Sequence, residues 1–157
     1  MYTWFECRVR YEKIVEGKTK KVTEPYLIEA FSYTEAEARV IEELSPYISG
    51  DYSITNIKRA RIAELFPYEL GDRWYMCKIN IILLDESRGV EKKVANYILT
   101  QASAVLEAWQ KLEDGMKGTL SDYVVVSIAE SPIIDVFPYK DKASNQPNNV
   151  SVADLEE

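Results

Sequence analysis

From Tyr2 to Ile14 the chain alternates: Phe5, Cys7, Val9 and Tyr11 hold the odd positions, and Trp4, Glu6, Arg8, Arg10 and Glu12 the even ones. A period of two predicts a strand with one buried face. Glu16-Gly17-Lys18 is a turn signal. Residues 19–31 read as a second strand, in which Pro25, lacking an N–H, marks an edge or a bulge. The period then changes. Ala36, Val40, Ile41 and Leu44 recur at helical spacing and predict an amphipathic helix over 35–45. Thr34 and Glu37 are spaced for a capping box at its start, and Pro46 and Gly50 end it. Residues 52–66 alternate again, predicting one long strand or two short ones divided near Ala60.

The same order then recurs. Trp74 to Leu84 is a strand with Tyr75, Cys77, Ile79, Ile81 and Leu83 inward, followed by the turn Asp85-Glu86-Ser87-Arg88-Gly89 and a strand from Val90 to Thr100. Val105, Trp109, Leu112 and Met116 predict a helix over about 102–116. Strands follow over 123–130 and, past Pro132, over 133–137. The repetition is also literal. Asp51-Tyr52, Ile57, Ile62 and Phe66-Pro67-Tyr68 return 71 residues later as Asp122-Tyr123, Ile128, Ile133 and Phe137-Pro138-Tyr139. A fixed offset marks a duplicated structural unit. The expected fold is α+β: two pseudo-symmetric ββαβ(β) units, 1–70 and 71–139, forming one domain with mostly antiparallel sheets and one helix per unit. A single helix covers one face of its sheet, so the opposite face must meet solvent, the other unit or a partner.

Composition removes much chemistry. Among 157 residues there is no histidine and there are two cysteines, Cys7 and Cys77, at matching places in the two units. Histidine-activated nucleophiles and most zinc sites are thereby excluded, and the cysteines read as small buried apolar residues. No glycine-rich phosphate loop occurs, so no cofactor is expected. One enzymatic pattern exists. Asp85 and, across the hairpin, Glu91-x-Lys93 resemble the metal-binding carboxylates and lysine of restriction-type nucleases, where Mg²⁺ would be held. A hairpin tip carries charged residues in any case. No apolar run approaches the ~18 residues of a membrane span, and Met-Tyr-Thr-Trp-Phe-Glu lacks the marks of a leader. A cytoplasmic protein without membrane contact is expected. Residues 140–157 hold little to bury and end in Val-Ala-Asp-Leu-Glu-Glu, which predicts a disordered acidic tail, solvated or docking on a protein partner.

The net charge of −7 conceals a segregation: the predicted strands hold thirteen of the nineteen basic residues and eight of the twenty-six acidic ones. With the odd face buried, Trp4, Arg8 and Arg10 share the other face, as do Trp74, Lys78 and Asn80, and Lys58, Arg59 and Arg61 would extend it. Aromatic platforms beside cations suit single-stranded DNA or RNA, since bases stack and phosphates pair. Trp4 and Trp74 equally suit an interface between the units or between subunits of a homo-oligomer. Lysines on strands also blunt exposed edges.

Two resemblances add context. With 52–66 split, residues 52 to 116 run ββββα, which looks like the unit of the Whirly and Pur-type single-strand binders entered at a shifted start. The opening Met-Tyr-Thr-Trp-Phe-Glu-Cys-Arg-Val-Arg-Tyr, the segment Lys-Lys-Val-Thr-Glu-Pro-Tyr-Leu (20–27), Ser-Tyr-Thr-Glu-Ala-Glu-Ala-Arg (32–39) and the Phe-Pro-Tyr closures resemble an uncharacterised family of gut anaerobes, their mobile elements and tailed phages. That resemblance covers about 1–139. It implies DNA or RNA handling, or virus assembly, and it assigns no site residues. The first expectation is a non-enzymatic, single-stranded nucleic-acid-binding accessory protein using Trp4, Arg8, Arg10, Lys58, Arg59, Arg61, Trp74 and Lys78. The alternative is an interaction or assembly protein, either a virion component or an inhibitor of a host factor. The third is a Mg²⁺-dependent nuclease.

Overall fold

The computed structural model describes residues 1–139; the tail expected at 140–157 lies outside the described residues. Its elements are β1 (Thr3–Val15), β2 (Lys18–Ala30), α1 (Tyr33–Leu44), β3 (Tyr52–Ala60), β4 (Glu64–Phe66), β5 (Arg73–Asp85), β6 (Val90–Ala102), α2 (Val105–Gly115), β7 (Asp122–Ser131) and β8 (Asp135–Phe137). The fold is α+β with two helices and two four-stranded, mostly antiparallel sheets. Residues 52–66 form two strands, as one of the two sequence patterns required.

Equivalent positions are set by the registers. β1 and β2 pair over thirteen residues from Thr3–Ala30 to Val15–Lys18, and β5 and β6 from Arg73–Ala102 to Asp85–Val90. The pairing of β1 with β3 slips between Arg8 and Val9, and that of β5 with β7 slips between Lys78 and Ile79. A β-bulge therefore stands at the same place in both copies. Pro25 sits opposite Arg8, one residue before β2 gains an outer neighbour at Tyr26, so its missing N–H costs the sheet nothing.

The short strands do not stay with their own unit. The first sheet has the order β3-β1-β2-β8 and the second β4-β6-β5-β7. β4 crosses to lie parallel to β6, and β8 returns to lie parallel to β2. Each unit thus completes the other's sheet. The Phe-Pro-Tyr repeats sit at these crossings. Phe137 packs on the first unit's core and Phe66 on the second's. The Tyr139 ring lies under Arg39 of α1, 5.1 Å from the guanidinium to the ring centre, and the Tyr68 ring lies under Lys111 of α2, at 3.7 Å. Glu29 accepts from the Tyr139 N–H and its equivalent Gln101 from the Tyr68 N–H.

Three apolar layers follow from the alternation. Phe5, Cys7, Val9, Tyr26 and Ile28 pack against Ala36, Val40 and Leu44 of α1. Cys77, Ile79 and Ile98 pack against Leu112 and Met116. The third layer lies between the units: Trp74, Leu27, Leu99, Ile133 and Val136 are buried together, with Trp4, Ile62, Leu65 and Met76 partly buried against them. Each fully buried Leu, Ile or Phe contributes roughly 1.5–3 kcal/mol relative to exposure. Helix α1 starts earlier than the Thr34–Glu37 spacing suggests. The Glu35 N–H donates to Ser32 Oγ and the Phe31 N–H donates to the Glu35 carboxylate, so the capping box is Ser32–Glu35.

Candidate functional site

The eight residues proposed as one contact face are divided among five places. Alternation puts Glu6, Arg8, Arg10 and, across the ladder, Lys58 on the helix-free face of the first sheet. Arg59, the next residue, must point the other way. It lies opposite Phe5, and its guanidinium stands over the Phe5 and Tyr33 rings at 5.4 and 5.6 Å. Arg61 is in the crossing segment, over the Tyr97 ring of β6 at 5.8 Å. Lys78 is on the helix-free face of the second sheet. Trp74 is 6 % exposed in the layer between the units, with Trp4 packed against that layer. Of the two readings left open for the tryptophans, packing between the units is the one the structure adopts. A base cannot reach Trp74 without parting the units.

Charge on the first sheet's open face is partly balanced. Glu6 lies 3.4 Å from Arg8 and 3.5 Å from Lys58, while on the helix side Glu24 takes Lys13 at 3.6 Å. Arg10 and Lys21 make no ion pair among the described residues; with Glu12 and Asp51 they edge an open cleft of about 520 Å³.

The hairpin carboxylates are also separated by the pleat. Asp85 has the parity of Ile79 and Ile81 and falls on the helix side. Glu91 is paired with Leu84, and Lys93 with Ile82, on the opposite face. Asp85 accepts from the Ser87 N–H and hydroxyl and meets Arg88. Among the described residues no group of three or more Cys, Asp or Glu is placed to hold a metal ion. The two thiols are fully buried. Burial, aided by the Glu6 and Glu37 charges, pushes Cys7 up to about 12, and burial raises Cys77 as well. Neither is a nucleophile at neutral pH.

Two surfaces emerge that single-residue reading missed. The first is aromatic. Tyr2, Phe31 and Tyr139 cluster at one end of the first unit, with Tyr2 centred 3.7 Å from Phe31 and 3.9 Å from Tyr139. Phe31 and Tyr33 remain 48 % and 47 % exposed, and the Tyr33 ring lies under Arg59. At the equivalent places the second unit has Ser103, Val105 and Glu130, the last paired with Arg73. The signal available in the sequence was two aromatics flanking the N-cap serine.

The second surface is the helix-free face of the second sheet. Through the common register Met76 stands where the first sheet has Glu6, Ile82 where it has Glu12, Ala95 for Thr23, Val124 for Ser53 and Ala129 for Lys58. On the same backbone these five positions are polar or charged in the first sheet and apolar in the second, where Lys78, Lys93 and Glu91 share the face with them. Val124 is 51 % exposed, and the face runs on from Met76 into the layer between the units.

A family model described as Domain of unknown function (DUF4494) matches residues 3–139. The chain belongs to this family. Its matched span begins with β1 and ends with Tyr139, so it contains both sheets and both crossings. No curated protein and no solved structure matches the chain. No helix among the described residues of this DUF4494 chain is long and apolar enough to cross a membrane.

Proposed function

We propose that this DUF4494 chain is a non-enzymatic assembly protein that associates with other copies of itself through the helix-free face of its second sheet. The observation that carries the reading is the replacement of Glu6, Glu12, Ser53 and Lys58 by Met76, Ile82, Val124 and Ala129. The first copy supports this backbone with a solvated, charged face. An apolar version of the same face gains free energy when covered, at about 25 cal/mol per Å² of apolar area removed from water. The face is also continuous with a layer that already joins two copies of one module. Such a protein would act in the cytoplasm, as a structural or accessory component of the mobile elements or tailed phages of gut anaerobes to which the family resemblance points. Sedimentation velocity across a hundredfold range of concentration tests this. Wild type should show a monomer–oligomer equilibrium and Val124→Lys only monomer; a concentration-independent monomer in the wild type sinks the reading.

A second reading, single-stranded DNA or RNA binding, is favoured by the half-exposed Phe31 and Tyr33 rings, the latter under Arg59. These can stack bases as the tryptophans cannot, at ~1–3 kcal/mol per base. Anisotropy of a labelled oligothymidine should then rise with protein, fall with salt, and be lost in Tyr33→Ala. The absence of any salt-sensitive rise removes it.

A further inference from the structure

The duplicated architecture lets each position of the second unit be compared with its equivalent in the first. Beside α1 the first core is extended by two phenol rings and a loop residue. The Tyr11 hydroxyl donates to the Glu24 carboxylate. The Tyr26 ring stacks on Phe137, with centres 6.1 Å apart and planes inclined by 14°. Ile48, in the loop after the helix, packs on the same cluster. In the second unit Tyr11, Tyr26 and Glu24 become Ile81, Ile98 and Asn96. By the same register two phenol rings are gone from the second unit, and in the loop after α2 Leu120 is 101 % exposed.

What remains is an open-sided cleft of about 490 Å³, walled by Phe66, Ile79, Ile81, Asn96, Ile98 and Met116. Phe66 forms a fixed wall because it lies hard against α2: a Cβ at Gly115 would meet its ring at 2.5 Å. The Asn96 side chain makes no hydrogen bond among the described residues. The cleft's size falls within the ~300–1,000 Å³ usual for small-ligand sites, which combine apolar walls with a few polar groups.

We propose that this cleft binds a small aromatic alcohol, a single ring carrying a phenolic hydroxyl. The first unit shows the arrangement with its own residues. The ligand ring takes the place of Tyr26, against Phe66 as Tyr26 lies against Phe137. The ligand hydroxyl donates to the Asn96 side-chain carbonyl as Tyr11 donates to Glu24. This site is on the helix side of the second sheet and is independent of the assembly face.

The test is a ¹⁵N-resolved NMR titration of the full chain with p-cresol and, separately, toluene. The expected result is saturable shifts confined to Ile79, Ile81, Asn96, Ile98 and their neighbours. p-Cresol should bind about fivefold more tightly than toluene, the value of one hydrogen bond of about 1 kcal/mol. Asn96→Ala should erase that preference, and Ile98→Tyr, which restores the first unit's residue, should abolish binding of both. Ile81→Tyr provides the same comparison if Ile98→Tyr does not give the wild-type circular dichroism spectrum. Shifts that do not saturate, that map elsewhere, or that persist undiminished in a folded filled variant would overturn the proposal.

Discussion

Trp74 shows how one side chain can carry a long-range decision. It is buried with Leu27 and Val136 of the first sheet and Leu99 of its own, so truncation opens a cavity where the units meet. Trp74→Ala should cost about 3–5 kcal/mol in urea unfolding, and a loss under 1 kcal/mol would mean that the layer is not as compact as described. The cysteines give a second residue-scale expectation. Cys7 is held up to about 12 against an ordinary 9.0. A raised folded pKa means that the unfolded chain releases its proton first, so stability is complete below pH 9 and declines as pH climbs towards 12. Tyr11 and Tyr26, both raised by burial and by Glu24, push in the same direction. Unfolding midpoints measured from pH 8 to 11 should fall, and more gently in Cys7→Ala. The alternation of β1 made the buried face of Cys7 legible from sequence. The role of Trp4 and Trp74 was not legible, because an aromatic on the helix-free face fits a partner, a ligand or a second unit equally well until the sheets are placed.

At the scale of the element, the two helices form a natural comparison of caps. Ser32 accepts from the Glu35 N–H, whereas its equivalent Ala104, in the same extended conformation, has no side chain to do so. Ser32→Ala should destabilise by about 1 kcal/mol, and Ala104→Ser should stabilise by roughly 0.5–1 kcal/mol, both read from thermal or urea unfolding. No gain from Ala104→Ser would show that Glu107, which already takes the Ser103 N–H, suffices. The sequence offers two overlapping Ser/Thr-x-x-Glu spacings, Ser32–Glu35 and Thr34–Glu37. Periodicity alone does not choose between them. The register does: Ala30 closes the ladder opposite Thr3, so the chain is free to turn at Ser32. Strand existence, by contrast, was readable, since period two runs through β1 and β5 and turn signals bound β2 and β6.

The whole molecule is interlocked, and this is where sequence reading stopped short. The offset of 71 residues showed two units, but a three-residue strand has no pattern long enough to declare which sheet it joins. β4 and β8 each cross to the other sheet, so residues 1–70 and 71–139 should not be autonomous. Each half alone should show weak, non-cooperative unfolding, and the two mixed should regain a single transition by circular dichroism. Two halves that each melt cooperatively would contradict the interlock. The charged and apolar open faces follow the same logic, being visible only once equivalent strands are aligned by ladder position.

The return of β8 to β2 also has a temporal consequence. During synthesis the first sheet emerges early yet keeps one flank bare until Phe137 leaves the ribosome. For that interval Tyr26, Leu27 and Ile28 offer open amide and carbonyl groups to any passing strand. A nascent chain stalled before Asp135 should therefore recruit holdase chaperones, and release them once Asp135 to Phe137 have emerged.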